Sequence, residues 1–172
     1  EWSLELLSAE ERTVFQRLGV FVSGFSVELA QAVASDAAID PWALLDHLAS
    51  LVDKSLVFAD DNERPRYGLF ESGRAIALEH LAQAGQSEAL RQRHAQAMRL
   101  LVQEVYALFF ASNDFGPART RLVAELDNLR AAVAWAQDAD VAGAVALMGA
   151  SCRLWNRCGV PGEALRHFQR LA

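Results

Sequence analysis

The chain has 172 residues, of which 52% are hydrophobic, and this is enough apolar material for one large core or two small ones. Its net charge is −6, and Lys54 is its only lysine. Residues 1–86 hold 14 acidic and 6 basic residues (−8), whereas residues 87–172 hold 8 and 10 (+2), which is consistent with two domains of different surface character.

This sequence shows no pattern typical of a signal peptide or a membrane span. The N-terminus is acidic and lacks the basic-then-apolar order of a signal peptide, and the apolar run at residues 105–111 is far shorter than the ~20 residues of a membrane span. Cys152 and Cys158 are six residues apart, which fits neither a metal hook nor a redox motif. We therefore expect a soluble, cytoplasmic protein with reduced thiols and no membrane partner.

Three helix starts can be read from capping residues. Ser8 and Glu11 form a capping box, in which the hydroxyl and the carboxylate satisfy each other's free backbone donors. Ser26 is the predicted N-cap of a second helix that ends near residue 34. Asp40 is the predicted N-cap of a third, because a proline follows it at the first helical position. Apolar residues at helical spacing follow each cap.

A β-hairpin is predicted next. Two short apolar segments, residues 56–59 and 66–70, flank a polar loop, and a fourth helix over residues 71–84 is stopped by Gly85. The order helix, helix, helix, strand, strand, helix is that of a winged-helix domain, and we place this domain at residues 1–86.

Only helical patterns follow. Apolar stripes cover residues 87–111, 122–136, 141–156 and 163–171, with breakers at 113–117 and 159–162. Helices of this length joined by short breakers predict antiparallel helix pairs of the solenoid type over residues 87–172. Residue 1 is not methionine and no C-cap signal follows the last stripe, so we expect a fragment of a longer protein, truncated at its C-terminus.

Four blocks of the sequence resemble a known family: LSAEERTVFQRLGVFVSGFSVELAQAV, LLDHLASLVDKSLV, RYGLFESGRAIALEHL and AELDNLRAAVAWA. In this order they are similar to the region after the nucleotide-binding module of bacterial regulatory ATPases of the signal-transduction (STAND) class, which include multidomain transcriptional regulators. The resemblance implies a mainly α fold, in which a winged helix with one small β-hairpin precedes the start of a tetratricopeptide-like array. It also implies a P-loop ATPase upstream and a DNA-binding output domain elsewhere in the full protein.

Catalysis is not expected from these residues. In related NTPases the winged helix can carry a Met-His-Asp motif whose histidine contacts a phosphate, and Phe70 stands at that histidine's place here. No glycine-rich loop precedes Lys54, so a P-loop is absent. The histidines are scattered, and we interpret His94 as a half-buried core histidine. We therefore expect no enzyme, no cofactor and no metal in this region.

The charges of the predicted winged helix do not favour DNA. Its third helix shows Asp46 and Asp53 where a DNA reader needs cations, and its hairpin loop is also rich in acidic residues. We predict that a hairpin surface contacts a protein, the upstream nucleotide-binding domain, and does not bind DNA directly. This predicted contact surface consists of Asp60, Asp61, Arg64, Arg66 and Arg74.

The predicted function is that of a non-enzymatic regulatory module, which transmits the nucleotide state of the ATPase and binds a protein or small-molecule inducer on its helical array. The alternative is a DNA-binding winged-helix regulator that dimerises through its C-terminal helices. We expect Trp42, Trp135 and Trp155 in the core, and an exposed apolar patch within residues 105–110, which has more large apolar residues than one helix face buries.

Overall fold

The computed structural model describes residues 6–60, 62, 65–112, 115–159 and 161–170. This part of the chain is mainly helical, with nine helices and one antiparallel hairpin. Its internal contacts form two units, Glu1–His94 and Ala95–Ala172. The division falls inside a long helix, and the domain boundary between residues 86 and 87 stays a prediction.

The first unit follows the predicted order of elements. These are α1 (Ala9–Leu18), α2 (Val27–Ala34), α3 (Pro41–Asp53), β1 (Phe58–Ala59), β2 (Tyr67–Gly68) and α4 (Glu71–Gln83). The three predicted caps are confirmed: Ser8, Ser26 and Asp40 each accept hydrogen bonds from the backbone of the following helix. The chain leaves α4 at Gly85, whose φ of +68° is easily adopted by glycine.

The strands are shorter than predicted. Phe58 pairs with Gly68 and Ala59 with Tyr67, so only two residues of each predicted segment belong to the ladder. Leu56 and Val57 instead donate their N–H groups to the carbonyl of Leu51, at 3.0 and 3.2 Å, and thereby complete the C-terminal turn of α3. At the other end, Phe70 is the N-cap residue of α4. Helix ends therefore occupy the backbone groups that longer strands would need.

Helix α1 is the centre of the first unit. It packs against α2, α3 and α4, and its residues Val14, Phe15 and Leu18 are fully buried. The chain passes very close to α4 where α1 ends, because a Cβ atom on Gly19 would lie only 2.8 Å from the Cβ of Ala77. Glycine at this position therefore allows the end of α1 to contact α4, the helix that follows the hairpin.

The long helix α5 (Ser87–Ser112) carries the division between the two units. The remaining helices are α6 (Phe115–Ala124), α7 (Leu126–Ala139), α8 (Val141–Arg157) and α9 (Pro161–Gln169). In the second unit α8 packs on α7 and α9, and α6 packs on α7 and α8. No helix in the described residues is both long and apolar enough for a membrane span.

Two predictions about the α6–α7 region are wrong. The stripe over residues 122–136 belongs to two helices, which are interrupted at Glu125 (φ −107°). The buried Glu125 carboxylate accepts a hydrogen bond from Asn128 Nδ2 at 2.8 Å, and this local bond stabilises the break. Within the predicted breaker at 113–117, residues 115–117 begin α6, because proline is tolerated in a first helical turn. Residues 113 and 114 lie outside the described part.

The three tryptophans differ in burial. Trp155 is fully buried in the second unit, as predicted, and Trp135 is partly buried. The prediction for Trp42 is wrong, since 78% of this residue is exposed. It stands in the first turn of α3, whose inward face is formed by Leu44, Leu48 and Leu51. A residue two positions before Leu44 points away from that face.

Within residues 105–110, Leu108 and Phe110 are exposed, which confirms the expected apolar patch. Both cysteines are free and partly buried.

Candidate functional site

The predicted contact surface surrounds the hairpin. Asp61 and Arg64 lie outside the described residues, as does Glu63 in the same loop. The other three members, Asp60, Arg66 and Arg74, are described, and each of them makes a hydrogen bond inside the first unit. Their side chains therefore have structural partners, which the sequence did not reveal.

Asp60 closes the hairpin loop. Its carboxylate accepts hydrogen bonds from the N–H of Arg66 at 2.9 Å and from Asn62 Nδ2 at 2.7 Å, and its own N–H donates to the carbonyl of Arg66 at 3.0 Å. The bond from the Arg66 backbone is the main reason why the pKa of Asp60 is below its usual value. Asp60 thus fixes the loop conformation and stays charged at neutral pH.

Arg66 and Arg74 both reach the loop between α1 and α2. Arg66 Nη2 donates to the carbonyl of Gly24, and Arg74 Nε donates to the carbonyl of Phe21 at 2.7 Å. The same loop is joined to β2 by a β-bridge, in which Phe25 and Tyr67 exchange backbone hydrogen bonds of 2.8 and 2.9 Å. Two arginines and one bridge therefore hold this loop against the hairpin.

Replacing Arg74 with alanine is expected to destabilise the first unit by ~1 kcal/mol, because a hydrogen bond from a charged donor to a buried segment is lost. Burial lowers the pKa of Arg74, which agrees with its position partly inside the unit. Arg91→Ala is the matched control, since Arg91 is exposed and its partner Glu88 is 3.3 Å away on the same helix. Urea unfolding measures the change in the free energy of unfolding for both variants. Equal effects of the two variants would mean that Arg74 has no structural role.

An aromatic pair is the most exposed apolar feature of the hairpin. Phe58 and Phe70 are 42% and 57% exposed, and their ring centroids are 5.2 Å apart. The ring of Phe58 lies across Gly68, where a Cβ would come within 2.5 Å of it. The alternation of a two-residue strand is too short to reveal this pair. Its only sequence signal is two phenylalanines at the outer ends of the strand pair.

Helix α3 offers acidic groups to solvent. Asp46 and Asp53 are exposed, whereas Lys54 Nζ is bonded to the carboxylate of Glu11 at 2.6 Å. His47 Nε2 lies 3.6 Å from the carboxylate of Glu10. The lysine that follows α3 therefore serves as an internal partner of α1.

His94 is more deeply buried than expected. Only 2% of it is exposed, and its ring meets Phe21 edge-on at a centroid distance of 5.3 Å. Among the described residues its Nε2 atom has no hydrogen-bond partner. Burial, followed by the positive charge of Arg74, lowers the pKa of His94 to about 4. The part of the chain that the structure describes contains no cluster of His, Cys, Asp and Glu that could hold a metal ion.

Several mycobacterial proteins are similar to this chain in sequence. The chain is 41% identical over 139 residues to a protein of Mycobacterium tuberculosis (strain ATCC 25618 / H37Rv) and to one of Mycobacterium bovis. The names of both assign them, provisionally, to the HTH-type transcriptional regulators. Each match covers 80% of this chain.

A second protein of Mycobacterium tuberculosis, uncharacterized by name, is 38% identical over 109 residues, which are 62% of this chain and 28% of that relative. The chain spans only 15% of the length of the two regulators. No family model matches the chain, and no solved structure matches it.

Proposed function

We propose that this chain is a non-enzymatic regulatory module of a multidomain transcriptional regulator. In this proposal, its first part is a winged helix that transmits the nucleotide state of an upstream STAND-class ATPase domain, and its tetratricopeptide-like second part binds a protein or small-molecule inducer. The regulator names of the two relatives support the regulatory role. The order of three helices, a hairpin and a fourth helix, with a bridge from the α1–α2 loop to β2, supports the winged helix.

The observation that best supports a protein contact is the chemical character of the surface of the hairpin and α3. The exposed side chains there include two aromatic and two acidic ones, namely Phe58, Phe70, Asp46 and Asp53. The two described cations, Lys54 and Arg66, are bonded within the unit. DNA binding requires several cations that can meet phosphates, whereas aromatic side chains are typical of protein interfaces. We infer that this surface contacts a protein domain.

A DNA titration tests this inference. We expect the chain to bind a duplex no more tightly than non-specific proteins do at physiological salt, which is a Kd of roughly 10⁻⁴ to 10⁻⁶ M. Fluorescence anisotropy at several salt concentrations measures the affinity. A tighter complex whose affinity falls steeply with salt would contradict the proposal.

The partner domain can be tested directly. In this proposal a P-loop domain is encoded upstream in the same reading frame, and it should form a one-to-one complex with the chain in size-exclusion chromatography. Phe58→Ser combined with Phe70→Ser should abolish this complex, because the exposed aromatic pair would supply its apolar core. Leu6→Ser, at another exposed apolar residue of the same unit, is the control. A complex that survives the double substitution would exclude the hairpin as the interface.

A DNA-binding winged helix that dimerises through its C-terminal helices is the second candidate. The HTH-type names of the relatives favour it, and the exposed Phe110 and Leu108 on α5 offer an apolar surface for self-association. This second candidate requires that the chain forms a dimer and that it binds duplex DNA with an affinity that falls as the salt concentration rises. Sedimentation of the chain, together with the titration above, separates the two candidates.

The proposal also covers the cellular location of the chain and the absence of a bound cofactor. We propose that the chain acts in the cytoplasm, where no membrane partner is needed. We propose no bound cofactor, since neither a glycine-rich phosphate loop nor a histidine at position 70 is present in the sequence. Calorimetry with ATP tests this point, and micromolar affinity that persists after Arg166→Gln combined with Arg170→Gln in the second unit would refute it.

A further inference from the structure

A basic cleft of about 390 Å³ lies in the second unit, between α7 and α9. Its lining consists of Arg130 and Ala134 from α7, of Glu163, Arg166 and His167 from α9, and of Arg170, which directly follows α9. Arg166, His167 and Arg170 follow Glu163 by three, four and seven positions, and the N–H of Arg170 donates to the Arg166 carbonyl at 3.3 Å, so these side chains share one face of the last helical turns. Three guanidinium groups against one carboxylate give the lining a charge of about +2 with neutral histidine, although the whole chain is at −6.

One of the three arginines is held by carboxylates. Arg130 donates from Nε and Nη2 to the two carboxylate oxygens of Glu163, at 2.8 and 2.7 Å, and from Nη1 to Asp127 at 2.7 Å. The bonds to Glu163 raise the pKa of Arg130 and lower that of Glu163. This bidentate pair is geometrically fixed and joins α7 to α9. It forms one wall of the cleft and neutralises the only lining carboxylate.

The other two arginines have no such partner. Among the described residues, neither Arg166 nor Arg170 has a carboxylate within 4.0 Å of its guanidinium. Both are exposed at the mouth of the cleft. They are four residues apart, so their charges are neighbours at the C-terminal end of α9. Two neighbouring exposed cations repel each other weakly in water, and an anion bound between them would replace this repulsion with attraction.

His167 is held in place between these arginines. Gln137 Nε2 donates to the His167 carbonyl at 2.9 Å, His167 Nδ1 lies 3.4 Å from Gln137 Oε1, and the ring packs edge-on against buried Trp155 at 5.4 Å. Burial lowers the pKa of His167, and the charges of Arg170, Arg166 and Arg130 lower it further, while Glu163 opposes them. His167 is therefore a polar lining residue that contacts Gln137 and Trp155 and lies near three arginines.

We propose that this cleft binds the phosphate group of a small molecule. A guanidinium fork matches phosphate oxygens in a bidentate way, and two of them can clamp one phosphate from one side. The volume lies in the range of small-molecule sites, about 300–1,000 Å³, and is too small for a folded partner. This inference rests on the proposed function, in which the second part binds an inducer, and it names phosphate compounds as the chemical class of that inducer. Duplex binding by the first unit would not affect the test below.

The test uses pyrophosphate as the probe and the 172-residue chain as the receptor. Isothermal titration at constant ionic strength should show saturable one-to-one binding. Arg166→Gln combined with Arg170→Gln should weaken it at least tenfold, because two charge-assisted contacts are lost. Arg99→Gln combined with Arg119→Gln changes the net charge equally at other positions of the same unit, and should weaken binding less than twofold.

A third variant separates specific contacts from folding. Arg166→Lys combined with Arg170→Lys keeps both charges but removes the bidentate fork, so we expect affinity between that of the wild type and that of the glutamine variant. Circular dichroism checks that each variant is helical. The proposal is overturned if pyrophosphate shows no saturable binding, if both glutamine pairs weaken it equally, or if the lysine variant binds as tightly as the wild type.

Discussion

Lowering the pH from about 7 to 4 is expected to destabilise the first unit by up to about 3 kcal/mol through His94. This histidine is 2% exposed, its Nε2 atom has no partner among the described residues, and its pKa is lowered from 6.5 to about 4. In the unfolded chain His94 takes up a proton near pH 6.5, but in the folded chain only near pH 4. The unfolded state binds more protons between these values, so stability falls as the pH falls.

Replacing His94 with leucine should remove most of this pH dependence. Leucine is apolar and has nearly the same volume, so it fits beside Phe21 without a buried polar atom. The free energy of unfolding, measured with urea at several pH values from 7.5 to 4.5, should decline in the wild type and stay nearly flat in the variant. His80→Gln is the control, because this histidine is only partly buried. A parallel decline in the leucine variant would exclude His94 as the cause.

Replacing Glu11 with glutamine is expected to cost about 2 kcal/mol at pH 7, from the loss of charged hydrogen bonds and of a helix cap. The Glu11 carboxylate accepts hydrogen bonds from Lys54 Nζ and Ser50 Oγ, both at 2.6 Å, and from the Ser8 N–H at 2.7 Å. It therefore joins the start of α1 to the end of α3. Glutamine keeps the size but cannot accept all three bonds or balance the lysine charge.

The Glu11 carboxylate also makes the stability of the first unit depend on pH, in a more acidic range than His94 does. The bond from Lys54, followed by those from Ser50 and Ser8, lowers the pKa of Glu11 from 4.5 to about 2. Its contribution to stability is complete above pH 4.5 and is lost as the pH falls towards 2, and the glutamine variant should lack this loss. Urea unfolding of the variant and of Glu10→Gln, an exposed neighbour, measures it. An equal cost for both variants would contradict the proposed role of Glu11.

A second carboxylate, that of Asp36, also makes stability depend on pH in this acidic range. Asp36 accepts hydrogen bonds from Arg17 and from the N–H groups of Ile39 and Ala38, and these lower its pKa from 3.8 to about 2. Its contribution also disappears as the pH falls towards 2. The Glu11→Gln variant should consequently retain part of the acid sensitivity, and Asp36→Asn should remove another part.

Local chemistry made the helix starts of the first unit predictable. Ser8, Ser26 and Asp40 satisfy backbone donors two or three residues away, and such contacts depend on the neighbouring sequence alone. The position of the hairpin was predictable for the same reason, since a polar loop separates two short apolar segments. Its length was not, because the end of α3 and the start of α4 take the outer residues of both segments.

By itself, the sequence determined the capped helices of the first unit, the presence of the hairpin and the acidic surface of α3. Only the tertiary structure decided what the charged side chains contact: Arg66 and Arg74 bond to carbonyls 42 and 53 residues earlier in the chain. It also decided that Trp42 is exposed and His94 buried. Helical and strand patterns specify which face of an element turns inward, but the partner of a long polar side chain depends on which distant backbone the fold brings within its reach.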